Sequence, residues 1–182
     1  MKKILSLILS MMLLVFSSVA LAEQTNVITY DEATLQASGL EGEFVKLEDF
    51  GLQFFLPNGL QAVEATAEQT AAGTYAIYAN ADQTNMMSIG YAATMDAEGK
   101  PITELAALGE FYTANGATDV AMVELNGMAC LEYTLTSANS MGIVFMMDSG
   151  NVLAFNFSPI NDENYAPVAA IIGTTVMPVS AE

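Results

Sequence analysis

Bond-making at a protein site usually draws on imidazole, guanidinium, an activated thiolate or a set of carboxylates, and here the first two are missing. The 182 residues contain no histidine and no arginine, one cysteine, four lysines and 21 carboxylates, for a formal charge of −17. Without imidazole the ordinary general base and metal ligand are absent, and without guanidinium there is no bidentate clamp for phosphate or carboxylate. A serine nucleophile would have to borrow its base from a lysine. Lys100 lies in the polar turn DAEGKP, and Lys46 alternates along an edge strand with the acids Glu48 and Asp49 close behind, so both read as solvated. Carboxylate pairs can hydrolyse glycosidic bonds unaided, but most acids fall at turns (Asp49, Asp82, Asp96, Glu98, Asp148, Asp162, Glu163), and tryptophan, a common sugar platform, is absent. No enzyme activity and no cofactor are expected.

Binding chemistry leaves more candidates. Asn80 to Asn85 (NADQTN) and Asn161 to Asn164 gather oxygen side chains of the kind hard cations prefer, which makes Asp82, Asp162 and Glu163 the candidate ligands for a divalent ion. Neither loop has an EF-hand pattern, since the twelfth position from Asn80 is Tyr91, and turn and cap chemistry accounts for both segments more simply. The doublets Met86-Met87 and Met146-Met147 suggest soft copper(I), but neighbours in a strand point to opposite faces and cannot chelate as a pair. Methionine as adaptable core filler is the simpler reading, and Cys130, on the same strand face as Met128, reads as a small buried residue. Tyr75, Tyr78, Tyr91 and Tyr112 could line a cleft between a sheet and one helix that takes a small apolar ligand.

The elements that would position these residues follow from pattern. Residues 1–22 have a positive start at Lys2 and Lys3, an apolar stretch and a small-x-small exit at Ala20-Leu21-Ala22, the form of a cleaved signal peptide, so a secreted or extracytoplasmic protein with no membrane span after cleavage is expected. What remains carries two lysines against 21 carboxylates, a formal −19, which repels nucleic acid and anionic membranes. One thiol cannot form an internal disulfide, and nine further methionines suit a mildly oxidising habitat. Residues 23–40 read as a polar leader with a short helix near Asp31 to Ala37, and residues 41–182 as a single domain.

Within that domain the alternation predicts strands at Glu43 to Glu48, Leu52 to Leu56, Thr74 to Asn80, Met86 to Met95, Thr118 to Leu125, Met128 to Thr136, Met141 to Asp148 and Asn151 to Phe157. Asn126-Gly127 suits a type I′ hairpin, Ser149-Gly150 supports another, and Ser137 to Ser140 a longer one, so the last four strands form an antiparallel meander with Met141 to Asp148 central. The face Met86, Ser88, Gly90, Ala92 and Thr94 is small enough to seat a helix closely. Helices are predicted from Ile102 to Ala114, and from Tyr165 to Ile172 with Asn164 as cap, Pro167 in the first turn and Gly173 as the stop. The fold class is therefore α+β, an antiparallel sheet with helices packed on both faces.

This succession, with GLQFFLPNG, a helix ending in NG, VELNGMACLEYTL and GIVFMMDSGNVLAFNFSP before a closing helix, resembles the PsbP family of extrinsic photosystem proteins. That family includes a Ran-binding nuclear-import factor and many exported bacterial proteins. The resemblance covers roughly Glu43 to Met177 and implies an α/β/α sandwich used for binding or assembly, with no shared catalytic residues; the chain departs from the family in its near lack of basic residues. The function expected is a secreted, non-enzymatic binding or assembly module that meets another envelope or extracellular protein through its acidic surface. The alternative is a carrier of a small apolar ligand or divalent cation.

Overall fold

Residues 26–179 are described by a computed structural model; the signal peptide expected at residues 1–22 lies outside them. In chain order the elements are β1 (Asn26–Ile28), α1 (Glu32–Ser38), β2 (Gly42–Leu47), a 3-10 turn (Glu48–Phe50), β3 (Leu52–Pro57), β4 (Gln61–Val63), α2 (Ala67–Ala71), β5 (Thr74–Ala79) and β6 (Met86–Ala92). Then come α3 (Leu105–Ala114), β7 (Thr118–Leu125), β8 (Met128–Leu135), a 3-10 turn (Thr136–Ala138), β9 (Ser140–Met146), β10 (Val152–Ser158), α4 (Tyr165–Thr174) and β11 (Met177–Pro178).

Asn126 and Gly127 both take positive φ, +51° and +81°, as a type I′ turn requires, and β7 to β10 form the expected antiparallel meander. It continues through β6 and β5 to give an eight-stranded sheet ordered β1-β7-β8-β9-β10-β6-β5-β4. β9 is central, with Ile143, Val144 and Phe145 all buried. Along β8, β9 and β10 successive residues feed two separate buried clusters. Cys130, Ile143, Phe145, Leu153, Phe155 and Phe157 pack with Phe54 and with Ala169 and Ile172 of α4. Leu131, Tyr133, Val144 and Val152 pack with Leu108 and its neighbours on α3.

Four features correct the expectations. β1 pairs parallel to β7, so the sheet is mixed and the segment read as a polar leader contributes one strand to it. The cause is Asn126: its backbone N donates to Ile28 O at 2.8 Å, its Oδ1 accepts from Tyr30 N at 2.5 Å, and its Nδ2 donates to Thr174 O and Val176 O at 2.9 and 2.7 Å. Second, β2 and β3 join β11 in a separate three-stranded sheet. Thr175 holds it in place, fully buried, with Oγ1 accepting from Phe55 N and donating to Ile172 O.

Third, α3 begins at Leu105, because Ile102 N donates back to Thr94 O and Met95 bridges Pro101, which also ends β6 at Ala92. Fourth, α4 is capped by Asp162, whose Oδ1 accepts from Asn164 N and Tyr165 N, while the side chain of Asn164 makes no cap bond. Gly173 lies inside α4, where a β-carbon would come 2.8 Å from Ile143 Cδ1; its role is close packing on β9.

Candidate functional site

β2 ends on the buried Leu47, and Gly51, at φ +62°, closes the following 3-10 turn by donating from its N to Glu48 O. Glycine, without a β-carbon, takes that left-handed conformation most readily. The turn pushes Phe50 between two tyrosines, with ring centroids 4.9 Å from both Tyr75 and Tyr91. The Tyr75 hydroxyl donates to Asp49 Oδ2 at 2.9 Å, and holding its proton toward that carboxylate raises its pKa. Tyr91 shares a hydrogen bond of 2.8 Å with Ser149 Oγ, which lowers the pKa of its hydroxyl. Ser149 belongs to the β9–β10 turn, where Gly150 at φ +78° donates to Met147 O.

Between these two turns lies a cleft of about 520 Å³. Leu52, Met128, Phe145 and Met147 line it with apolar surface, and Asp49 and Asp148 stand at its rim with Tyr91 and Ser149. The β8–β9 ladder ends at the pair Leu131–Val144, and beyond it Met128 of β8 and Met147, just past β9, both line the cleft. The ionisable groups lining the cleft are two carboxylates and a phenol, with no lysine among them. Such an arrangement offers a cation an attractive rim, a π face and an adaptable thioether floor.

A second cleft, of about 270 Å³, opens where Ser88, Gly90 and Ala92 were expected to seat a helix closely. With Thr74, Ala154 and Asn156 they line it, and α3 reaches it only through Tyr112. Tyr112 stacks on Tyr133 with centroids 4.3 Å apart and planes 17° apart, and Tyr133 donates to Asn156 Oδ1. Tyr133 lies across Gly142, where a β-carbon would overlap its ring, so this glycine makes room for the tyrosine pair.

The four tyrosines proposed as one lining are thus divided. Tyr75 and Tyr91 meet around Phe50, Tyr78 packs on Phe54 in the core at 5.6 Å, and Tyr112 belongs to the other buried cluster. Among the described residues no three His, Cys, Asp or Glu side chains converge as a metal-holding group. Asp82 accepts from Thr84 Oγ1 within its own turn, Asp162 caps α4, and Glu163 is exposed. Cys130 is fully buried, and desolvation, with Glu132 adding a smaller electrostatic contribution, pushes its thiol up to about 12, far from a nucleophile's range. Sequence reasoning missed Phe50, Met128 and Met147 because only the fold brings the two turns together. The signal within reach was the pair of acidic turn residues, Asp49 and Asp148, each next to an aromatic or methionine neighbour.

No helix among the described residues is long and apolar enough to cross a membrane. The one ion pair among them joins Lys100 to Glu98 at 2.7 Å, with both side chains 72% exposed, which leaves the acidic surface almost unneutralised.

The fold is α+β and is similar to that of solved PsbP-like proteins. It is similar to the solution structure of cyanobacterial PsbP (CyanoP) from Synechocystis sp. PCC 6803, with TM-score 0.53 at 11% identity, covering 90% of this chain and 98% of that one. It is also similar to the Saccharomyces cerevisiae Ran-binding protein Mog1p, with TM-score 0.39 at 10% identity over 78% of this chain and 97% of that one. A mutant of the protein Mog1 gives TM-score 0.41 at 10% identity over 78% and 98%. No family model matches the sequence, and no curated protein does.

Proposed function

We propose that this chain is an extracytoplasmic, non-enzymatic binding or assembly module that holds a basic segment of another envelope or extracellular protein against its acidic surface. Its frame is the large sheet, whose buried residues pack in one cluster with α4 and in another with α3, and its contact point is the cleft between the turns at Glu48–Phe50 and Met147–Gly150. One observation carries the reading: an apolar cleft rimmed by Asp49 and Asp148 with no cation of its own. In a chain with two lysines beyond the first three residues, the matching charge has to come from a partner. A lysine-rich segment would set its ammonium groups at the rim and over Tyr91, and its stems against Met128 and Met147.

The test is calorimetric titration with a short peptide of alternating lysine and valine, at an ionic strength of about 0.15 M so that distant charges are screened. The double variant Asp49→Asn, Asp148→Asn should weaken binding several-fold. A control of equal net charge, Glu64→Gln with Glu68→Gln, removes two acids that line neither cleft and should bind as the parent does. Equal losses in both variants would show that only net charge matters and would defeat the assignment of the site.

A small-ligand carrier is the second reading, favoured by the volume of the same cleft, about 520 Å³, which lies within the usual range for small-molecule sites. An apolar amine that raised Tm with the logarithm of its concentration would support it.

A further inference from the structure

The partner segment's mode of attachment can be read from hydrogen-bond parity in the three-stranded sheet. Phe55 N points away from β2, to Thr175 Oγ1, and Gln53 faces β11 through its pairing with Met177. In an antiparallel ladder opposite residues alternate between exchanging both backbone bonds and exchanging none. Phe44, opposite Phe55, and Lys46, opposite Gln53, are therefore in the pairs that exchange none, while Glu43, Val45 and Leu47 bond to β3. Continuing the same parity, Asn58 N donates to Glu41 O. The N–H and C=O groups of Phe44 and Lys46 point outward, from an edge strand on which both residues are exposed.

At six residues β2 is the longest edge strand among the described residues, against three each for β1 and β4 and two for β11. We propose that β2 accepts an added strand, and that the strand is the basic extended segment of the partner. This deepens, and rests on, the binding reading above. The choice of occupant follows from charge. Glu41, Glu43, Glu48 and Asp49 are exposed on and beside the strand with Lys46 as the lone cation. A second copy paired antiparallel would bring two such acidic edges together, which is repulsive. A basic strand would find carboxylates flanking the ladder, and β2 runs directly into the turn that carries Asp49 and Phe50 at the cleft.

Amide hydrogen exchange followed by NMR tests this, with the alternating lysine–valine peptide as probe. In the free protein the Phe44 and Lys46 amides should exchange fast and those of Val45 and Leu47 slowly. Adding the peptide should slow Phe44 and Lys46 by about tenfold or more. Lys46→Pro deletes one outward donor at an edge position where proline is tolerated, and should weaken the peptide about tenfold while Val45 stays protected. If the peptide binds in the Asp49- and Asp148-dependent way but leaves the Phe44 and Lys46 amides fast, strand addition is wrong and the acidic-cleft reading stands. If the peptide does not bind at all, both fall. A shift to dimers that protects the same amides without peptide would assign the edge to a second copy and overturn the proposal.

Discussion

At the scale of single residues, Glu132 is the carboxylate whose surroundings matter most. Two positions beyond the fully buried Cys130 on β8, it pairs across the sheet with Ala121 of β7 and Ile143 of β9, and both neighbours belong to the apolar cluster beneath α4. Burial raises its pKa above that of the unfolded chain. A raised carboxyl pKa means that the fold prefers the protonated form. Its contribution to stability is fully present below the unfolded pKa and is lost as pH rises through the folded value. Glu132→Gln keeps the shape without the charge, so its Tm should exceed the parent's by a few degrees at pH 7 and converge with it near pH 4. Thermal unfolding at the two pH values checks this; a variant less stable at pH 7 would mean that the ionised carboxylate has a favourable partner. Cys130 and Tyr133 flank Glu132 in sequence and are raised by the same desolvation, so they add no charge there near neutrality.

At the scale of elements, the joints depend on side chains that bond between segments far apart in sequence. Asn126 is the clearest case, since it serves a hairpin, the N-terminal strand and the end of α4 together. Asn126→Gly retains the positive-φ turn and loses three side-chain hydrogen bonds, at a cost of about 3 kcal/mol or roughly 6–12 °C in Tm. Should Tm stay unchanged, β1 is not held by this residue. The turn itself was legible in the sequence because Asn-Gly encodes its own geometry, whereas the bonds to Tyr30, Thr174 and Val176 were not, since nothing local marks residues 96, 48 and 50 positions apart as neighbours. The same contrast runs through the rest of the fold. Alternation located the long strands to within a few residues. The three-residue β1 and β4 were too short to show a period, and the second sheet depends on Thr175, a residue that reads as an ordinary helix end. Gly173 resembles a helix stop by type, and only the approach of Ile143 shows its packing role. As for the site, the acids at turns could be read, but their meeting with Met128 and Met147 could not.

At the scale of the whole molecule, charge and shape set what the protein can meet. Two buried clusters, one with α4 and one with α3, make the frame that holds its clefts. Over that frame lies a surface with a formal charge of −17 for the chain and one ion pair among the described residues. Such an exterior favours cationic partners and disfavours self-association through like-charge repulsion. The most direct measurement compares the alternating lysine–valine peptide with its glutamate–valine counterpart by calorimetry across a salt series. The account predicts that only the basic peptide binds, that its affinity falls steadily as salt rises, and that apolar contact leaves measurable affinity at about 0.15 M. Equal binding of the two peptides, or binding of the basic one that ignored salt, would contradict it.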